Sequence, residues 1–291
     1  MNEPVWKIKK EICDVGTRIW QRGYCAGNEG NHSVRIGADR VLCTPTGLSK
    51  GFLSPEDICL TDMDGNQVEP NPRGRKRTSE VLLHLAIYRK RDDVKAVVHS
   101  HPPHATAFAI ANIPLPEGIH PEAEVFLGKV PMARFAMPST PDLPESIVPL
   151  IGSETNTVLM GNHGTVNFSS TLIDTYYKLE ILDAYCRLLL LAHQLGTVHK
   201  LSDQDLAQLL KIKEKFGMTD SRLACALDGC VGAENQAFLA TFDVRPVSAS
   251  CSEGGQALTT HSPTQTSSAA NGGFEAMVQV ITDQIMGAVS S

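Results

Sequence analysis

The chain has 291 residues, 42 % hydrophobic and 20 % charged, with a net charge of −6, the make-up of a soluble globular protein long enough to bury a sizeable core. The acidic excess excludes a general nucleic-acid binder, which needs a basic face, and the longest apolar run, Leu188 to Ala192, falls far short of the roughly 18 to 20 residues of a membrane span. Eight cysteines without a C-x-x-C pair point to reduced thiols rather than a disulfide framework or zinc ribbon, and Met1 to Lys10 shows no apolar signal segment, so a cytoplasmic protein is expected.

In chain order, Val5 to Arg22 reads as a helix and Ser33 to Cys43 as two strands around a Gly37-Ala38-Asp39 turn. Ile58 to Val68 predicts a hairpin around Asp64-Gly65-Asn66. Ser79 to Arg91 predicts a helix capped by Thr78 or Ser79, followed by an apolar strand from Val94 to Val98. Glu122 to Phe135 is mixed, and Thr157 to Met160 is a strand running into Gly161-Asn162-His163-Gly164. A long helix follows from about Thr171 to Leu195, with Tyr177, Ile181, Ala184, Leu188, Leu191 and Leu195 on one face and Gly196 as its stop signal. The sum is one α/β layered domain over residues 1–217, with 218–247 an unassigned extension.

The composition then changes. From 248 to 273, 18 of 26 residues are Ser, Thr, Gly or Ala, as in a flexible linker. Residues 274–291 place Phe274, Met277, Val278, Ile281, Ile285, Ala288 and Val289 on one face of an amphipathic helix. Its few charges, Glu275 and Asp283, suit docking to a partner protein better than to an anionic membrane.

Chemistry is concentrated in separated segments. An apolar strand leading into His99-Ser100-His101 puts two imidazoles on one strand face, a usable bite for a Zn²⁺ ion; two hydrogen-bonded histidines at a strand end would give the same pattern. His163 ends a second apolar strand, and Glu80 opens a helix. Three imidazoles and a displaceable carboxylate would make a catalytic zinc shell. His84, inside a helix, and His104, after two prolines, read as structural. Gly30-Asn31-His32-Ser33, Thr44-Pro45-Thr46-Gly47 and Thr78-Ser79 are small-residue turns able to hold an anion, although turn chemistry alone accounts for each. Arg73, Arg75, Lys76 and Arg77 put four positive charges into five residues, either a solvated loop or an attractor of anionic substrate.

The order Gly-Asn (30–31), Thr-Pro-Thr-Gly (44–47), Thr-Ser-Glu (78–80), Val-Val-His-Ser-His (97–101) and Asn-His-Gly (162–164) resembles the class II aldolase/adducin family, within it the sugar-phosphate aldolases of the L-fuculose 1-phosphate type. The resemblance implies a three-layer α/β fold with a central, mainly antiparallel sheet flanked by helices, and homotetramers with active sites at subunit interfaces. It implies one Zn²⁺ per subunit on His99, His101 and His163, with Glu80 as displaceable fourth ligand and general acid/base. Asn31, Thr46, Gly47, Thr78 and Ser79 would bind the substrate phosphate. The implied reaction is retro-aldol cleavage of a 6-deoxyketohexose 1-phosphate, L-fuculose or L-rhamnulose, to dihydroxyacetone phosphate and L-lactaldehyde. The tyrosine that such enzymes take from a neighbouring subunit has no counterpart in His120-Pro121-Glu122-Ala123-Glu124, where Glu122 is the candidate substitute. A pentulose-phosphate 4-epimerase, usually with Asp in place of Glu80, a related dehydratase or decarboxylase, and a non-catalytic adducin-like assembly domain are the alternatives. A metal-dependent amidohydrolase barrel would carry its His-x-His on the first strand instead. Residues 274–291 behind their linker resemble the encapsulation peptides that load enzymes into bacterial microcompartments, which implies a shell protein as partner and the compartment lumen as location.

Overall fold

The computed structural model describes residues 3–215 and 217–241; the expected linker and the helix at 274–291 lie outside them. In chain order the elements are α1 (Glu3–Gln21), β1 (Asn31–Arg35), β2 (Arg40–Cys43), β3 (Cys59–Asp62), α2 (Val81–Lys90), β4 (Ala96–Ser100), α3 (Pro103–Ala111), β5 (Met132–Ala133), α4 (Asp142–Ile147), β6 (Thr157–Met160), β7 (Gly164–Ser169), α5 (Leu172–Leu195), α6 (Asp203–Lys215) and α7 (Gln236–Thr241). The strands form one seven-stranded sheet in the order β3-β2-β1-β4-β7-β6-β5. Every pairing is antiparallel except β5 with β6, so the expected mainly antiparallel α/β sandwich is the architecture found. No described helix is long and apolar enough to cross a membrane.

Strand alternation decides what lies on each face. Val41, Cys43, Val97, Val158, Val166 and Phe168 pack with α2 and α4 on one side. Leu42, Ala96 and Val98, the residues between, pack with α1 and the first half of α5 on the other. The second half of α5 covers α3, Leu159 and the single π-helical turn at Ala123–Leu127. The hairpin expected at Ile58 to Val68 forms only its first arm as a strand; the return arm is a single bridge between Thr61 and Gln67.

Helix α5 begins as expected, with the Thr171 hydroxyl accepting from Asp174 N. Its core stripe is Leu172, Tyr176, Leu179, Leu182, Cys186 and Leu189. The stripe legible in the sequence lies elsewhere: Tyr177, Leu188 and Leu191 are exposed, and Leu195 is 90 % exposed. The helix is therefore apolar on two faces, of which one meets this sheet.

The segment after residue 217 is built into the domain. Phe238 is buried with Phe108 and Leu127, and Val231 and Ala226 pack under α6. Arg222 bridges Glu117, Glu124 and Asp220 at 2.6 to 2.8 Å, and Lys213 meets Asp220 at 2.6 Å. Beside it Cys225 and Cys230 form a disulfide, where reduced thiols were expected; a short 3₁₀ turn at Ala226–Asp228 doubles the chain back between them. The other five described cysteines are free and buried.

Candidate active site

Register brings the site together. Asn31 on β1 lies opposite His99 on β4, and Ser33 opposite Val97, so all four side chains emerge on the α2 side of the sheet. His101, just past β4, keeps the same side and is pinned by its N–H to Tyr24 O at 2.9 Å. His163 sits in the tight β6–β7 turn, where Asn162 takes a left-handed φ of 54° and His163 N donates to Met160 O. The next residue must be glycine: a Cβ on Gly164 would lie 2.5 Å from His101 Cδ2 and 2.7 Å from Ser100 O.

Glu80 enters from the start of α2. The cap expected at Thr78 or Ser79 is instead Glu80 itself, with no side-chain cap hydrogen bond. The reason is that the preceding segment is zipped to the Thr-Pro-Thr-Gly turn, with Thr46 N donating to Lys76 O and Thr78 N to Thr44 O, both at 3.0 Å. That pairing holds residues 76–78 extended and turns the Glu80 carboxylate inward. It also fastens together two segments that are 30 residues apart in the chain.

The three imidazole rings lie with centroids 4.7 to 5.1 Å apart, and their ligand atoms fall within 4.8 Å of one another. Ring orientation follows from the outer partners. His99 Nδ1 lies 2.9 Å from the Thr165 carbonyl and His101 Nδ1 2.7 Å from Glu29 Oε2. Both partners are acceptors, so each Nδ1 carries the proton and each Nε2 is left with a lone pair. Those two Nε2 atoms face each other at 3.2 Å, and Glu80 Oε2 lies 3.3 Å from His99 Nε2. Acceptors converging on acceptors make a set that a cation satisfies, and three imidazoles with one carboxylate are suited to a divalent transition metal. A carboxylate behind one ring and a carbonyl behind another is the outer support such ligands usually have. His163 differs, since its buried Nδ1 has no hydrogen-bond partner among the described residues.

Electrostatics agree with this reading. Burial pushes the His99 imidazole below its ordinary pKa, and burial lowers His163 to about 4, so both rings are neutral at pH 7 and free to offer a lone pair. Burial works against the charge of Glu80, yet the carboxyl is held below the usual carboxylate range, with the Asn31 amide donating to it at 2.8 Å.

These groups open into a cavity of about 260 Å³. Asn31, Thr46, Gly47, Thr78, Ser79 and Glu80 all line it, as do His99, His101 and His163. Thr78 Oγ1 accepts from Glu80 N, which leaves its O–H to donate. Glu122 is not among the lining residues of this chain; it is exposed and pairs with His120 at 3.3 Å. The basic run is largely consumed by structure: Arg73 and Arg75 hold the buried Asp57 carboxylate, and Arg77 donates to the Gly65 and Thr78 carbonyls. Arg73 and Lys76 are exposed, and Lys76 is not drawn into either of these contacts.

Five lining residues, Asn28, Glu29, Lys50, Pro138 and Ser139, were not singled out from the sequence. Glu29 supports His101. Lys50 is buried and donates to Asn28 O and Leu48 O, fixing the two loops on either side of the cavity. Ser139 has a left-handed φ of 64° and brings the loop after β5 to the cavity rim. His84, read as structural, lies behind Glu80, with Nε2 2.5 Å from Asn31 Oδ1. Its signal was present, because positions four apart share a helix face.

The family model for the class II aldolase and adducin N-terminal domain matches residues 10–190. The L-fuculose phosphate aldolase of Methanocaldococcus jannaschii is 35 % identical over 183 residues, 63 % of this chain and 96 % of that one. The 3-oxo-tetronate 4-phosphate decarboxylase of Haemophilus influenzae is 34 % identical over 186 residues, 62 % of this chain and 85 % of that one. A solved L-fuculose 1-phosphate aldolase superposes with a TM-score of 0.65 at 27 % identity, covering 73 % of this chain and 97 % of its own. With the matched span running from α1 through most of α5 and enclosing every residue of the histidine and carboxylate cluster, the chain belongs to the class II aldolase and adducin N-terminal domain family.

Proposed function

We propose that the protein is a zinc-dependent aldehyde-lyase that cleaves a 6-deoxyketohexose 1-phosphate, L-fuculose 1-phosphate or L-rhamnulose 1-phosphate, to dihydroxyacetone phosphate and L-lactaldehyde. The observation that carries this reading is the convergence of His99, His101, His163 and Glu80 in the same cavity that Thr46, Gly47, Thr78 and Ser79 line. The three histidines hold one zinc ion, with Glu80 as the ligand able to leave. When bound there, zinc supplies Lewis-acid stabilisation of the negative charge that develops beside a carbonyl as a C–C bond breaks. The Glu80 carboxylate, kept ionised and largely out of water, accepts and returns the proton. The second N–H of the Asn31 amide, the Gly47 backbone and the hydroxyls of Thr46, Thr78 and Ser79 hold the phosphate.

Glu122 serves as proton donor to the departing aldehyde from a neighbouring subunit, in place of the family's tyrosine. A homotetramer is supported by the second apolar stripe of α5, where Tyr177, Leu188 and Leu191 are exposed in the single chain. Residues 274–291 address the enzyme to the lumen of a bacterial microcompartment through a shell protein, a reading supported by their apolar spacing and by the volatility of the aldehyde product.

The test is release of dihydroxyacetone phosphate by purified enzyme from each ketose phosphate, with and without chelator. Activity that survives complete metal removal, or no dihydroxyacetone phosphate from either substrate, overturns the proposal. A second reading, decarboxylation of a 3-oxo acid phosphate, is favoured by the nearly equal identity of the Haemophilus relative; carbon dioxide release from 3-oxo-tetronate 4-phosphate distinguishes it.

A further inference from the structure

Behind Glu80 runs a file of polar side chains where a core would ordinarily be apolar. Tyr88, His84 and Ser33 are fully buried and Asn31 is 5 % exposed. Tyr88 Oη lies 2.8 Å from Ser33 Oγ, Ser33 Oγ 2.7 Å from His84 Nδ1, His84 Nε2 2.5 Å from Asn31 Oδ1, and Asn31 Nδ2 2.8 Å from Glu80 Oε2.

The direction of every link can be derived from its end. An ionised carboxylate only accepts, so Asn31 presents its NH₂ to Glu80 and its carbonyl oxygen to His84. That carbonyl also only accepts, so the proton of His84 is on Nε2. His84 Nδ1 is then an acceptor and takes the Ser33 hydroxyl proton. Ser33 Oγ, having given its proton, is an acceptor for the Tyr88 hydroxyl, which shares its one proton between Ser33 Oγ at 2.8 Å and the Ser33 carbonyl at 3.0 Å. Four donors thus point one way along the file and end on one oxygen of Glu80, and such chains strengthen each successive bond.

His99 Nε2, 3.3 Å from Oε2, carries a lone pair because its proton is on Nδ1, and so it donates nothing to that carboxylate. Glu80 stands at the cap position of α2 but makes no cap bond, and its Oε1 is 3.8 Å from His163 Nε2, beyond hydrogen-bond reach. Packing alone does not require four buried polar groups, since apolar residues of the same shape would fill the space at no greater cost.

We propose that Tyr88, Ser33, His84 and Asn31 form a positioning chain for Glu80, which anchors Oε2, fixes His84 in its Nε2–H tautomer and leaves Oε1 toward the cavity as the oxygen that exchanges a proton with substrate. The inference rests on the reading of Glu80 as the proton-transferring group of a lyase. Ser33, His84 and Tyr88 touch neither substrate nor metal ligands and act through Asn31.

The test uses full-length wild type, Glu80→Gln, Ser33→Ala, His84→Leu and His84→Gln. Turnover of L-fuculose 1-phosphate is measured together with zinc affinity by chelator competition and, in metal-free protein, nitrogen-15 NMR of the histidine tautomers. The chain predicts that His84→Leu loses about 10- to 100-fold in kcat, with KM and zinc affinity each within about threefold of wild type. His84→Gln, whose amide N–H occupies the place of Nε2–H, restores most of that loss. NMR shows His84 neutral and protonated on Nε2 in wild type. Ser33→Ala, which removes only one hydroxyl should His84→Leu fail to fold, lowers kcat in the same sense and leaves zinc affinity unchanged. A His84 protonated on Nδ1, or equal loss in His84→Leu and His84→Gln, overturns the chain. Full kcat in His84→Leu with an inactive Glu80→Gln overturns the chain alone, whereas a fully active Glu80→Gln overturns the reading of Glu80 beneath it.

Discussion

Replacing Glu29 by alanine tests whether the outer support of the histidines controls metal binding. The His101 Nδ1 to Glu29 Oε2 bond is 2.7 Å, and a hydrogen bond to a charged group contributes about 1.5 to 3 kcal/mol when shielded. Here the Glu29 side chain is 33 % exposed and that of His101 20 %, so solvent screening brings the figure to about 1 to 2 kcal/mol. Without the carboxylate the ring is free to present either nitrogen, and that energy appears as a fall in metal affinity of roughly 5- to 30-fold. Glu29→Gln keeps an acceptor and should stay within about threefold. The assay is competition for zinc against a chromophoric chelator, with thermal unfolding of the metal-free proteins as a control for folding. Affinity of Glu29→Ala within twofold of wild type would refute the argument that the carboxylate sets the ring.

Glu80→Gln should bind zinc and lose about 10²- to 10⁴-fold in turnover; undiminished activity would remove Glu80 from its role. Gly164→Ala must move either His101 or the Ser100 carbonyl, so zinc affinity should fall at least about tenfold and stability by about 1 to 3 kcal/mol; wild-type binding by the same competition assay would contradict the contact. At Asp220, burial opposes ionisation but Arg222 and Lys213 prevail and lower the pKa from 3.8 to about 2. A group depressed in the folded state contributes stability that is full above its unfolded value and is lost as pH falls through the folded one. Urea midpoints should therefore drop between about pH 4 and pH 2, and Asp220→Asn should be less stable at pH 7 with a flatter slope over that interval; an unchanged slope would show that the bridge is not the cause.

The histidine and carboxylate cluster was legible because each member carries a local signature. The His-x-His pair follows an apolar strand, His163 stands between Asn162 and a glycine, and Glu80 opens a helix after two hydroxyl residues. What stayed hidden depends on partners distant in sequence. Whether His84 packs or relays is decided by the β1–β4 register, which sets Asn31 and Ser33 over α2. Whether a basic run meets substrate or structure is decided by a buried Asp57 that precedes it by 16 residues at Arg73. The face of α5 that enters the core could not be chosen from periodicity, because two of its stripes are apolar and the sheet contacts only one. The segment after 217 offered no periodic pattern strong enough to place, since its hold on the domain is an ion-pair network around Arg222 and a few buried side chains.

The opposition of Asn31 and His99 across β1 and β4 has a further consequence for how the protein is made. A slip of one residue between these central strands would put His99 and Asn31 on opposite faces of the sheet and set Asn31 against Val98 or Ser100. Metal uptake would then act as a proofreading step for strand pairing. Only chains whose middle strands have closed in register present the full set of nitrogen and oxygen donors, and a bound ion then stabilises that register over every shifted one. Refolding in the presence of zinc should enrich correctly paired molecules, so that the metal would select the fold as well as serve the chemistry.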